Sequence, residues 1–92
     1  MNDFLTQLVE LIADRKSHPK EGSYTNQLLA DRTKAAQKVG EEATEVVVAA
    51  LAQTDERLVA EMADLIYHSL VLLASRDIRW AAVVAELEKR HT

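Results

Sequence analysis

The sequence predicts an all-α fold, an antiparallel four-helix protomer of the bundle type that pairs into a helical dimer. Three observations carry this expectation. Only one proline and two glycines occur in 92 residues, and these are the residues that interrupt helices most strongly. Alanine, leucine, glutamate and lysine, all good helix formers, are abundant. Apolar side chains recur at three- and four-residue intervals rather than alternating. Hydrophobic residues make up 48% of the chain, enough for a core, and one domain over residues 1–92 is expected. So short a chain buries a modest share of its surface, and self-association is a natural way to bury more.

The first helix is predicted from Phe4, Leu5, Leu8, Val9, Leu11 and Ile12, with Asn2 and Asp3 as candidate caps. The stretch from Arg15 to Ser23 ends it, because Pro19, Gly22 and two serines fall there. A long helical region follows from about Thr25 to Gln53, with an interruption near Asp31-Arg32. Within it, Val46-Val47-Val48 has the β-branching of a strand. It nevertheless continues a helical pattern without a turn signal, so it is read as helix. Thr54 reads as the next N-cap, with Asp55 and Glu56 well placed in the first turn of a helix that runs to about Ser75. Asp77 is expected to cap a last helix from Ile78 to about Arg90. Trp80, Val83, Val84 and Leu87 form its apolar stripe, which suits a core or dimer contact better than base stacking.

The charge balance narrows the function. A net charge of −4 and a pI near 5.3 argue against nucleic acid or an anionic membrane as the main partner. A phosphorylated small molecule stays open, because a bound metal can reverse the local sign. The absence of cysteine removes disulfides, thiolate metal sites and a thiol nucleophile. No uninterrupted apolar run approaches the length of a membrane span, and MNDFLTQLVE lacks the basic start and apolar stretch of a signal peptide. A cytoplasmic protein is expected.

The acids are unevenly placed. On a helix, Glu41, Glu42 and Glu45 share one arc about 100° wide, with Lys38 and Lys34 on the same side. Ala36, Val39, Ala43, Val46, Val47 and Ala50 form an apolar face opposite, while Ala49 and Ala52 prolong the acidic arc with small side chains. On the following helix Glu61 and Asp64 are neighbours, flanked along the same stripe by Arg57 and His68. A tight turn at Gln53-Thr54 predicts antiparallel packing. Glu45 precedes Thr54 by nine residues and Glu61 follows it by seven, so the two stripes meet at similar height. Two carboxylates about 5 Å apart repel by roughly 3 kcal/mol at an effective dielectric near 20. Opposed acids must therefore splay into water, take up protons or hold cations. Oxygen-only donors favour Mg²⁺, or Mn²⁺, over zinc.

The motifs E-E-x-x-E (Glu41, Glu42, Glu45) and E-x-x-D (Glu61, Asp64) resemble those of the all-α nucleoside triphosphate pyrophosphatases. More of the chain is similar to one branch, the phosphoribosyl-ATP pyrophosphatase family of histidine biosynthesis. The similar segments are Ser23-Tyr24-Thr25 with Leu28, QKVGEEATE at 37–45, DLIYHSLVLL at 64–73 and ELEKRH at 86–91. The resemblance implies a helical dimer that hydrolyses between the α- and β-phosphates of phosphoribosyl-ATP. It implies Glu42, Glu45, Glu61 and Asp64 as magnesium ligands, with Glu41 a further ligand or the residue that orients the attacking water. Some members carry a fused cyclohydrolase domain with metal-binding cysteines; with 92 residues and no cysteine, the next pathway step is expected from another protein.

Within that chemistry Glu41 or Glu45 is the expected acceptor of the water's proton. Lys38 serves either a substrate phosphate or an intrahelical pair with Glu42, and Lys34 and Arg57 are further phosphate candidates. His68, Tyr24 and Thr25 are expected at the substrate, against the alternative that His68 is a packed structural histidine and Ser23 merely caps a helix. Arg15, Lys16 and Lys20 are better read as complementing a helix C-terminus than as phosphate ligands. Two other functions compete. One is a housekeeping nucleoside triphosphate pyrophosphatase with the same metal chemistry; the other is a non-catalytic helical dimer whose acids only solubilise.

Overall fold

Orphan amides at a helix start are taken up by short polar side chains, and four such caps divide this chain. Asp3 accepts from the Thr6 amide at 2.7 Å, Ser23 from Asn26 at 3.2 Å, Asp31 from Lys34 at 3.1 Å and Thr54 from Arg57 at 3.2 Å. In the computed structural model, which describes residues 3–92, they open α1 (Phe4–Ser17), α2 (Tyr24–Leu29), α3 (Arg32–Ala52) and α4 (Asp55–Ser75). A fifth helix, α5, spans Trp80–Arg90. The chain is all-α, with no strand among the described residues. Asn2, the other candidate cap for α1, lies outside them.

The helix count differs from expectation because the interruption near Asp31-Arg32 is a complete break. Asp31 adopts a non-helical conformation and caps α3 from outside, so the second helical region becomes two helices. A second difference concerns Asp77. It does not cap the last helix, which starts after Arg79 without a side-chain cap. Asp77 instead lies in the left-handed region, at φ 58°. Its amide donates to Ala74 at 3.0 Å and that of Ile78 to Leu73 at 2.9 Å, the hydrogen-bond pattern of a Schellman terminus. Glycine usually fills that position; here Lys16 of α1 bonds both the Asp77 carboxylate and the Ala74 carbonyl.

The core gathers around α4. Leu28 and Val71 are fully buried and pack with Ile12, Ala35 and Leu70, and Leu5, Val9, Tyr67 and Trp80 lie around them. Arg32, at the start of α3, donates to the Ser75 carbonyl at the end of α4 at 3.0 Å. The far ends of the hairpin therefore meet, as an antiparallel pair requires. By length and average composition α4 could cross a membrane. Glu61 and His68 are buried along it, however, and it packs on α1, α2 and α3, which is the setting of a core helix.

Candidate active site

The α3–α4 hairpin turns two of its acids, Glu42 and Glu61, inward. The buried residues of α3 are Ala35, Glu42 and Ala49, and the α4 residues opposite include Glu61 and His68. The seven-residue spacing of the α3 set defines one side, and its two alanines let α4 approach closely around Glu42. The face expected to be apolar is in large part bare. Val46, Val39 and Ala43 are half-buried, whereas Ala36, Val47 and Ala50 are exposed, since no other helix of this chain covers them.

Three acids converge. Glu42, Glu45 and Glu61 each offer a carboxylate oxygen such that all three atoms lie within 4.8 Å of one another. Glu42 is 6% exposed and Glu61 5%. Their Oε2 atoms are buried and have no hydrogen-bond partner. An orphaned buried carboxylate oxygen is costly unless a cation or proton meets it. The donors are hard oxygens at a spacing a divalent ion can bridge, so the residues present fit Mg²⁺ or Mn²⁺. Asp64, the fourth expected ligand, is exposed and lies outside this triad, although its charge is felt at Glu42.

The protonation pattern follows from this crowding. The adjacent Glu45 carboxylate, then burial, push the Glu61 carboxyl up to about 7. Burial, then Glu45, raise that of Glu42. Glu45 itself is held low, first by its interaction with Glu61 and then by that with Glu42. The metal-free cluster thus keeps one carboxylate charged and two prone to protonation.

Of the other expected site residues, Arg57 and Lys38 touch the triad, and Lys34, Tyr24, Thr25 and His68 are linked around α2 and α4. Arg57 donates to Glu61 Oε1 at 2.6 Å. Lys38 pairs with Glu41 at 3.3 Å and with Glu42 Oε1 at 3.6 Å. Glu41 is exposed at the rim. The Lys34 ammonium lies 5.9 Å from the centre of the Tyr24 ring. The Tyr24 hydroxyl meets His68 Nε2 at 3.0 Å, while His68 Nδ1 meets the Asp64 carbonyl at 2.7 Å. A carbonyl only accepts, so Nδ1 carries the hydrogen and, in the neutral ring, Nε2 accepts from Tyr24. Thr25 bonds the Tyr67 hydroxyl in the same layer. Tyr67 lies in a segment that carries the family resemblance but is not among the expected site residues. Its pairing joins residues 42 positions apart, and no local pattern signals such a contact. Ser23 caps α2, as its structural reading expected, whereas Lys16 reaches the end of α4 and not the terminus of its own helix.

An apolar groove lies elsewhere, between α1, the end of α4 and α5, with Val9, Leu73, Trp80 and Val84 among its walls. The acidic triad is the one cluster of metal-binding type among the described residues, and it lies outside that groove.

Comparison with known proteins agrees with the geometry. Residues 5–91 match the family described as phosphoribosyl-ATP pyrophosphohydrolase. A phosphoribosyl-ATP pyrophosphatase of Methanocella arvoryzae is 44% identical, over 98% of each chain. One from Listeria monocytogenes is 53% identical, over 94% of this chain and 84% of its own. The histidine biosynthesis bifunctional protein HisIE of Pasteurella multocida is 48% identical over 97% of this chain but only 45% of its own length. With a match this complete and relatives this similar along their length, the chain belongs to the phosphoribosyl-ATP pyrophosphohydrolase family and is a hydrolase of phosphoanhydride bonds.

Proposed function

We propose that this protein hydrolyses the α–β phosphoanhydride of phosphoribosyl-ATP, the second step of histidine biosynthesis, releasing phosphoribosyl-AMP and pyrophosphate with Mg²⁺ as cofactor. The observation that carries the cofactor is the convergence of the Glu42, Glu45 and Glu61 carboxylates, two of which each keep a buried oxygen without a partner. These three residues would hold the ion, with Asp64 at the edge. Bound there, magnesium supplies charge neutralisation for the triphosphate and lowers the pKa of water. Glu45 contributes a carboxylate that stays ionised. Glu45, or Glu41 at the exposed rim outside the triad, would take the proton of the attacking water. Lys34, Lys38 and Arg57 offer positive charge at the rim to a polyphosphate that would otherwise be repelled. Tyr24, Thr25 and His68 hold α2 against α4 beside Asp64 and so shape the wall for the rest of the nucleotide.

The direct test is pyrophosphate release from phosphoribosyl-ATP by the purified protein. Release should require millimolar Mg²⁺ and exceed that from ATP or deoxynucleoside triphosphates. Equal turnover of ordinary deoxynucleotides would favour the housekeeping alternative. Turnover of nothing, with no stabilisation by Mg²⁺, would favour the non-catalytic one.

We also place the dimer contact on the bare side of the hairpin and the enzyme in the cytoplasm, with its pathway. Leu51 is 83% and Val59 69% exposed, and Val47, Val48, Met62 and Ile66 are exposed with them. Apolar exposure on this scale in a small protein marks a contact surface.

Acidity gives a second test. In the metal-free fold Glu61 keeps its proton up to about 7, whereas the ordinary value is 4.5. Between these values the folded state binds more protons than the unfolded one, so stability falls as pH rises. Glu42 acts in the same direction. Asp3, Asp77 and Glu45, all held low, lose their contributions only at more acid pH. Magnesium needs ionised carboxylates, so it binds more tightly as pH rises through the same window. Thermal melts should show a metal-free midpoint that drops from about pH 5 to about pH 8 and a Mg²⁺ increment that grows. A constant increment would count against the triad.

A further inference from the structure

Each buried glutamate of the site carries a basic residue four positions earlier on its own helix. Lys38 pairs with Glu42 and Arg57 with Glu61. In both cases the base faces Oε1, Arg57 through a 2.6 Å hydrogen bond and Lys38 through a looser 3.6 Å ion pair that it shares with Glu41, while Oε2 is buried and unpartnered. The same arrangement thus occurs twice, on two helices, at the two acids that are almost wholly removed from water.

Helix stability does not account for it. A pair at this spacing favours the helix more when the acid comes first and the base four residues later. The surface pair of α5, Glu86 with Arg90, runs in that favoured order. The two pairs at the site run in reverse. Nor does Arg57 simply cover its acid, since its side chain is 57% exposed and stays in reach of water and of any incoming anion. What each base does accomplish is geometric. A carboxylate with one oxygen tied down is held as a one-oxygen donor, its second oxygen aimed in a set direction.

We infer that Arg57 and Lys38 are positioning residues for the metal ligands, each pinning Oε1 of Glu61 or Glu42 so that Oε2 is presented to a divalent cation. This rests on the metal reading above and deepens it. It also gives these bases a role before any nucleotide arrives. Groups that hydrogen-bond to metal ligands commonly change metal affinity by about 10–100-fold when removed.

The test is Mg²⁺ titration without nucleotide, by calorimetry, on the full chain. Arg57→Gln and Lys38→Gln should each weaken Mg²⁺ binding by about tenfold or more, with helicity by circular dichroism unchanged. Arg57→Lys and Lys38→Arg should restore most of the affinity, because a lysine at this spacing already reaches its glutamate in α3. Tighter binding in the glutamine variants would overturn the inference, for it would mean that the bases merely compete with the ion. Unchanged Mg²⁺ affinity with only the nucleotide KM raised would overturn it too, assigning both bases to phosphate alone. Failure of the unaltered protein to bind Mg²⁺ would remove the site itself, and is distinguishable from both.

Discussion

Glu61→Gln should lose turnover by roughly a thousandfold or more, yet melt at a higher temperature than the parent when both are metal-free at about pH 8. The two halves of this result have one cause. Glu61 is held at 5% exposure beside Glu45 and Glu42, with one oxygen on Arg57 and the other unpartnered. An ionised carboxylate in that position is repelled by its neighbours and poorly solvated, which is why its carboxyl is pushed up to about 7. Glutamine keeps the shape and removes the charge, so the repulsion disappears. It also removes the anionic donor that the ion requires. The gain in stability should shrink towards about pH 5, where the parent residue is itself protonated. Pyrophosphate-release kinetics and thermal melts at both pH values check the prediction. Near-normal turnover would take Glu61 out of the site. A lower melting point at the higher pH would show that the Arg57–Glu61 pair within α4 stabilises the fold by more than the crowding of acids costs it.

Leu28→Ala should be the most damaging single truncation in the core, at about 2–5 kcal/mol. A chain of this length has a total stability of only about 5–14 kcal/mol, so the melting temperature should fall by roughly 10–30 °C. Leu28 is fully buried and is the one buried residue of α2. A helix of six residues has almost no stability of its own, so docking through this side chain is what makes it a helix at all. The loss reaches the site as well. Tyr24 and Thr25 meet His68 and Tyr67 only while α2 is seated. Urea unfolding should show the destabilisation, and substrate KM should rise more than kcat falls. A loss below about 1 kcal/mol would mean that α2 is held by its hydrogen bonds and not by the buried leucine.

Much of the local architecture was legible in the residues. Asp3, Ser23, Asp31 and Thr54 cap helices because a short oxygen-bearing side chain reaches the amide three residues on wherever it sits at a helix start. That relation is local, so inspection of a few residues finds it. The convergence of Glu42, Glu45 and Glu61 was also foreseeable, since turn length and helical rise place positions on a hairpin at matched heights. Asp77 went the other way for a tertiary reason. Its left-handed conformation is accompanied by a lysine arriving from α1, 61 residues away in sequence.

By itself, then, the sequence settled the helical class, the starts of α1, α2 and α4, the meeting of the two acidic motifs across the hairpin and the family resemblance, while at Asp31 it offered an interruption and not a helix start. All of these depend on residues close together in the chain, or on motifs whose order is enough. Only the tertiary structure decided how much of the apolar side of α3 stays uncovered. Periodicity identifies a face but not how far it is covered, and that extent is set by which helices are present to cover it. Here α4 packs on the side with Ala35, Glu42 and Ala49, leaving Val47 and Leu51 exposed. The same packing leaves one oxygen each of Glu42 and Glu61 buried without a partner, and no count of acidic residues could have supplied that fact.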